Sequence, residues 1–443
     1  MKKNFNNELY FQKQKEGLIK SFEGDFQRFY VEIGGKTLGD FHSNRVLNGY
    51  DPDIKYKIIK DIEIGFEIIV CISAISIIKR KKKKDTKKLY TDEVLELLDR
   101  LKKDKIKFNV AITRYRENFH VDGFIDKLKD MNCGVYRFFE DTNYPYDVES
   151  VVSKNGLGSN DYIPCTERVV YVIAPGTNSG KFAVCISQIY HEKKQKICST
   201  YRKFETFLIP DYPINHPVNL ACSMAMCDVR GDDTIDSDYL KKRGMLICID
   251  SRDAESFKIL NRIIPKEEKR TTVYEYFINN TSAGIIDEEL AIKHAKKEIV
   301  RRYKEYIKAY NGNKVSQIEF DEASRIYNLI DKNIILSRNE MHVLLKNFID
   351  LWGFDCQSNV CMEEMGELIQ AICKYKREDN DERYIPNILE EIADVHNMII
   401  QLEEYFGYEE IRKIRERKIF RAQKYLMDEI EEGLIGDKKW IYF

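Results

Sequence analysis

Residues 361–401 read CMEEMGELIQAICKYKREDNDERYIPNILEEIADVHNMIIQ, and this stretch carries two acidic clusters on what the periodicity predicts to be two consecutive helices. In the first, Glu363, Glu364 and Glu367 accompany an apolar stripe of Met365, Leu368, Ile369 and Ile372. In the second, Glu390, Glu391 and Asp394 repeat the spacing beside Ile392, Val395, Ile399 and Leu402. The carboxylates are therefore expected at the edge of each packing face. Between Glu367 and Glu391 lie 23 residues, enough to finish one helix, turn in the polar run 377–383 and restart at Pro386, a favoured first-turn residue. Antiparallel packing would then set Glu364 and Glu367 opposite Glu391 and Asp394.

Like charges three and four apart weaken an isolated helix by roughly 0.2–0.5 kcal/mol per pair. Two such clusters brought together demand a cation, and carboxylate oxygens suit Mg²⁺ or Mn²⁺. The bland alternative is that both clusters face water.

An ExxE pair, a spacer of this length and an ExxD pair, in a helical segment that opens with Trp352 and Gln357, resemble the MazG-like NTP pyrophosphohydrolases and the related all-α dUTPases. The resemblance implies a helical bundle with Mg²⁺ on Glu364, Glu367, Glu391 and Asp394. It implies hydrolysis of a nucleoside triphosphate to monophosphate and pyrophosphate, and assembly as a homo-oligomer. Glu363 and Glu390 are then candidates for orienting or deprotonating the attacking water. A helix expected over 409–426 carries Arg415, Lys418 and Arg421, which match the family's basic stretch that meets phosphates; a solvated helix face is the other reading.

Outside this segment, 443 residues predict two or three domains, and an apolar fraction of 43% is ordinary for a soluble globular chain. Lys and Arg total 72 against 73 Asp and Glu, so no global field points to nucleic acid or membrane, and phosphate binding must be local. Eleven cysteines without a CxxC pair suit a reducing cytosol. The N-terminus shows no apolar signal-peptide core, and the longest apolar run, 68–78, is too short to span a bilayer. It reads as a buried strand running into the next element.

From the N-terminus the pattern predicts a helix over 6–23, a strand over 29–33 ending at Gly34-Gly35, strands at 66–73, 108–113 and 134–138, and helices near 91–103 and 121–130. Such alternation predicts an α/β module with a mainly parallel sheet. The basic run 79–84 is expected to be a solvated loop, with a phosphate or nucleic-acid grip as the alternative.

Residues 169–192, VVYVIAPGTNSGKFAVCISQIYHE, predict an apolar strand, a Gly-rich turn and a helix. Backbone N–H groups and the helix N-terminus of such a P-loop-like unit can cradle an anion, with Gly176, Ser179, Gly180 and Lys181 at the turn. A tight turn with nothing bound is the alternative. Pro175 stands for the first glycine of the strict P-loop and Phe182 for its Mg²⁺-binding Ser or Thr, which argues against an ordinary P-loop kinase.

This stretch, with NGLGSNDYIPCTERV before it (155–169), KFETFLIPDYPINHPVNLA (203–221) and GGKTLGDFHSNRVLNGYDPD (34–53), resembles a widespread bacterial family of unknown function with NDYI, APGPGSGK and KFETFP…HPVNLAYE signatures. The likeness covers about residues 5–310, with Thr177 and Asn178 in place of the family's Pro and Gly. It implies an α/β fold and a ligand site around Gly34, Gly35, His42, Arg45, Asn160, Asp161, Ser179, Gly180, Lys181, Glu205, His216 and Asn219. The family's own C-terminal domain is replaced by the MazG-like segment.

The expected organisation is an α/β module over 1–315, a helical connector over 316–336, an all-α domain over 337–430 and a tail over 431–443. Its expected function is a Mg²⁺-dependent nucleotide pyrophosphohydrolase fused to a nucleotide- or phosphate-binding module. The rivals are a nucleotide sensor whose helices serve oligomerisation, and an N-terminal phosphotransferase with an accessory hydrolase.

Overall fold

The computed structural model describes residues 2–80, 88–176, 179–227, 233–243, 247–312, 314–330 and 338–431, in two compact units that divide between Ser337 and Arg338. Most of the basic run, Thr177 and Asn178, and the tail beyond Glu431 lie outside the described residues.

The first unit is built on seven strands: β1 (Arg28–Ile33), β2 (Phe66–Ser73), β3 (Phe108–Tyr115), β4 (Gly134–Phe139), β5 (Val169–Ile173), β6 (Ser199–Phe204) and, after the short antiparallel pair β7 (Asp233–Ile235) and β8 (Cys248–Asp250), β9 (Phe277–Ile278). Their order in the sheet is β4-β3-β2-β5-β1-β6-β9, and every neighbouring pair is parallel. A sheet covered on both faces favours unbroken apolar strands, and VVYVI of β5 is wholly buried. Val170 and Val172 face one helical layer while Tyr171 and Ile173 face the other.

Connections from β1 lead outward through β2 and β3 to β4, with helices such as Ile54–Lys60 and Tyr90–Lys103 on one face. The chain then returns to insert β5 between β2 and β1, and the Lys181–Lys194 helix after it packs on the opposite face, on the way to β6. The loops leaving β1 and β5 thus turn to opposite sides. In an open parallel sheet this opens a crevice at the carboxyl ends of two adjacent strands.

The 68–78 run divides into β2 and a short helix, Ala74–Ile78, whose N-cap Ser73 accepts from Ser76 N at 3.4 Å. The expected connector differs from the structure. Helix Gln317–Leu329 opens with a Ser316/Glu319 capping box and buries Ala323 and Ile326 in the core of the first unit, because its apolar stripe finds a partner in the Glu288–Asn311 helix.

The second unit consists of helices Arg338–Trp352, Phe354–Arg377, Ile385–Phe406 and Tyr408–Glu431, with Pro386 in the first turn of the third. The second and third form its main packed pair. No described helix in either unit is long and apolar enough to cross a membrane.

Candidate functional site

In the helical unit, one carboxylate oxygen from each of Glu364, Glu367 and Glu391 lies within 4.8 Å of the others. Glu364 and Glu391 are half-buried and Glu367 is exposed. Asp394, one turn beyond Glu391, is near enough to act on both Glu364 and Glu391. Burial, followed by Asp394, Glu367, Glu391 and Glu363, holds the Glu364 carboxyl above its ordinary range. For Glu391 burial again leads, then Glu367, Asp394 and Glu390. Among the described residues no lysine or arginine pairs with any of the four, and Asn387 offers Glu391 only a long 3.4 Å contact. Oxygen donors of one sign with no resident counter-charge form the donor set that a hard divalent cation takes.

Glu363 and Glu390 stand beside this cluster and are exposed. Arg415 is engaged with Glu403 at 3.1 Å, while Lys418 and Arg421 lie on the exposed face of the last helix. The apolar stripes do not all face inward as expected: Val395 is buried, Leu368 and Leu402 are half-buried, but Met365, Ile369, Ile372, Ile392 and Ile399 are exposed. Cys361, Ala371 and Met398 are buried instead. The helices contact each other along a narrower seam than their sequence stripes would cover.

In the first unit, the crevice at the carboxyl ends of β1, β5 and β6 collects a second set of charges. Gly34 follows β1, and a Cβ there would lie 1.9 Å from Glu205 Oε2, so only glycine lets that carboxylate approach. Glu205 Oε1 lies 3.0 Å from Lys203 Nζ, which also reaches Asp253 Oδ2 at 2.6 Å. Glu32, paired across strands with Lys203, accepts from Tyr201 Oη at 2.8 Å. After β5, Gly180 has φ of +73° and faces Thr113, whose hydroxyl donates to Ser179 O at 2.7 Å, while Ser179 Oγ donates to Gly176 O at 2.8 Å. Lys181 then starts the helix and is 6% exposed. Phe182 packs edge-on against Tyr201, so no hydroxyl stands where a P-loop places its metal ligand.

Ser179, Gly180 and Lys181 follow β5, Gly34 follows its neighbour β1 and Glu205 follows β6, so all five stand at the carboxyl ends of adjacent strands, and Gly176 leads into the turn after β5. Gly35 is held nearby, because Lys55 donates to Gly34 O at 2.8 Å and pairs with Asp40 at 3.0 Å. The other expected residues have local partners. Asn160 Oδ1 and Asp161 Oδ2 accept from the backbone N–H of Phe139 and Arg137 at 2.7 Å each, closing the free side of edge strand β4. Asn219 is fully buried and binds the backbone of Ile209, Tyr212 and Pro213. His216 caps the Pro217–Ala225 helix, stacks on Tyr212 and lies 3.4 Å from Glu288. Arg45 pairs with Glu298 at 2.9 Å, and His42 accompanies Arg302 at 3.2 Å.

Glu32, Thr113, Tyr201 and Asp253 escaped the sequence reading. Glu32 sits in a predicted strand, 29–33, that accounts for it as a strand residue; Tyr201 lies in β6, which no pattern predicts, and Lys203 is visible only as the start of the KFETF signature. Asp253, in SRDAES (251–256), carries no local signal at all.

Residues 3–333 match the family described as "Domain of unknown function DUF1846, N-terminal". A UPF0371 protein of Clostridioides difficile is 34% identical over 360 residues, 79% of this chain and 72% of the relative. Another, from Fusobacterium nucleatum, is 37% identical over 308 residues, 68% of this chain and 61% of the relative; one from Clostridium botulinum (strain Alaska E43) is 33% identical over 360 residues. With three quarters of its length inside the family match and a third of the aligned positions identical to these relatives, the chain belongs to the DUF1846 (UPF0371) family.

Proposed function

We propose that the helical unit is a Mg²⁺-dependent nucleoside triphosphate pyrophosphohydrolase and that the α/β unit is its nucleotide- or phosphate-binding companion. The observation that carries the hydrolase reading is the convergence of Glu364, Glu367 and Glu391 to within 4.8 Å, with Asp394 beside them and no basic partner among the described residues. The MazG-like spacing of the ExxE and ExxD pairs supports it independently. Those four carboxylates would hold Mg²⁺ or Mn²⁺, which when bound neutralises triphosphate oxygens and acidifies a water. Glu363 and Glu390, exposed next to the cluster, would orient or deprotonate that water for in-line attack on phosphorus. Lys418 and Arg421 would meet the phosphates from the last helix.

The reading includes assembly. Ile369, Leu389 and Phe420 are 63%, 60% and 69% exposed, and an apolar surface of this extent on one helical unit favours a second copy of the chain as its cover. The decisive experiment is to incubate the purified protein with a panel of ordinary and modified NTPs and dNTPs with Mg²⁺ and to separate pyrophosphate from orthophosphate release. Pyrophosphate from any of them establishes the class; orthophosphate alone, or no turnover, removes it.

A further inference from the structure

The α/β crevice holds more than an anion cradle. Lys181 is nine-tenths buried, yet its ammonium makes no hydrogen bond or ion pair among the described residues, and the helix it begins has no side-chain cap. An ammonium on a largely buried stem, beside uncapped N–H groups, is a combination that suits an anion. Glu32 of β1 is paired with Val172 of β5, and Lys181 opens the helix that follows β5, so the two ends of the crevice stand at the carboxyl ends of neighbouring strands.

The Glu32 end has the opposite surplus. Lys203 occupies one oxygen of Glu205 and one of Asp253, and Tyr201 occupies one of Glu32. Glu32 Oε1, Glu205 Oε2 and Asp253 Oδ1 receive no hydrogen bond among the described residues, although an ionised carboxylate accepts about four. Asp250 adds no further demand, since Arg252 neutralises it. Burial pushes the Asp253 carboxyl up to about 6 against the pull of Lys203, with Asp250 and Glu205 adding to the rise. With one oxygen of each carboxylate left open, this end of the crevice is short of hydrogen-bond donors. One end lacks an anion, the other lacks donors, and both lie at the switch point of the sheet.

We propose that this crevice binds a phosphorylated sugar, its phosphate on Lys181 and the 181–194 helix N-terminus, its hydroxyls on Glu32, Glu205 and Asp253. The inference rests on the phosphate-binding reading of the α/β unit and adds the chemistry of the rest of the ligand. A free sugar phosphate and the ribose-phosphate end of a nucleotide share that chemistry.

The test is calorimetric titration of the full chain, in metal-free buffer with chelator, using inorganic phosphate, ribose 5-phosphate and AMP. Ribose 5-phosphate is expected to bind at least roughly tenfold tighter than inorganic phosphate, as two hydrogen bonds to charged acceptors would give. Glu205→Gln and Asp253→Asn each leave Lys203 one carboxylate, so the fold is expected to persist, checked by thermal melting. Each should erase most of the sugar advantage while leaving phosphate affinity in place, and Lys181→Ala should weaken both ligands. AMP binding tighter than ribose 5-phosphate in a Lys181-dependent way would identify the nucleotide source, and equal or weaker AMP binding the free sugar phosphate. If phosphate binds through Lys181 but ribose 5-phosphate binds no tighter in the unaltered protein, the sugar assignment is overturned while the phosphate reading stands. If neither ligand binds, or binding is indifferent to Lys181→Ala, the phosphate reading falls and this inference with it.

Discussion

Three buried glutamates of the α/β unit and the acidic cluster of the helical unit are treated in opposite ways. In the α/β unit Glu192, Glu67 and Glu298 are each answered by groups of the same unit. Glu192 accepts from Arg28 at 2.7 Å and Tyr30 at 2.8 Å; Glu67 accepts two backbone N–H groups and lies 3.4 Å from Lys107. Glu298 is ringed by Arg45, Arg301 and Arg302 at 2.9, 2.7 and 2.8 Å. In the helical unit, among the described residues, Glu364, Glu367, Glu391 and Asp394 have one another and the long Asn387 contact but no lysine or arginine. Burial is costly to a charge without a counter-charge, so the first arrangement completes itself within the chain. The second stays half-exposed, with like charges close together and no cation of the described residues beside them.

The largest effect that would break this comparison lies in the helical unit. Glu364→Gln or Asp394→Asn removes a ligand charge and little volume. Each is expected to lower Mg²⁺-dependent pyrophosphate release by about 100-fold or more, beyond the usual loss for an outer-shell partner, with an unchanged melting profile. Undiminished turnover in both variants would remove the metal assignment.

A self-neutralised carboxylate should show the reverse, a change in stability. Burial raises the Glu298 carboxyl, but hydrogen bonds from Arg301 and His42 and the charge of Arg302 outweigh it and hold it well below the ordinary range. With its folded pKa depressed, Glu298 contributes stability that is present above the unfolded value of about 4.3 and is lost as pH falls below it. Glu298→Gln leaves its arginines without their shared partner and is expected to cost roughly 3–5 kcal/mol at pH 7, read from denaturant midpoints. The deficit should shrink in acid. A pH-independent deficit would mean that shape, not charge, holds this site.

The exposed stripes sharpen the contrast at the level of assembly. Light scattering on the full chain should give a dimer or larger, and replacing Ile369 and Leu389 by Gln should lower the mass. A monomer that hydrolyses nucleotide at micromolar concentration would contradict the assembly. The smallest effect concerns the separation of the units. Lys181→Ala should weaken phosphate binding to the crevice and alter pyrophosphate release by no more than about twofold, the scale expected of independent sites. Equal loss of both would show that the sites are coupled.

Much of this was legible in the sequence. Strands 66–73 and 169–173 appear with the bounds read from their apolar runs, and the two acidic helices converge as their repeated spacing demanded. Period and spacing are local properties that survive in any tertiary context. Less legible was which conspicuous polar residue serves a ligand and which serves the fold. Asn160, Asp161 and Asn219 stand in strong signatures, yet each satisfies backbone groups that its own neighbourhood would otherwise leave unpaired.

By itself, then, the sequence determined an α/β unit followed by helices, the strand-turn-helix at Lys181 and the paired acidic helices that bring Glu364, Glu367 and Glu391 together, because each rests on local period and spacing. Only the tertiary structure decided that the 317–329 helix belongs to the first unit, that β5 inserts between β1 and β2, and that Glu32, Lys203, Glu205 and Asp253 meet beside Gly34. These depend on which strands become neighbours. Strand order is fixed by long-range packing of apolar faces, and no local pattern in the chain encodes it.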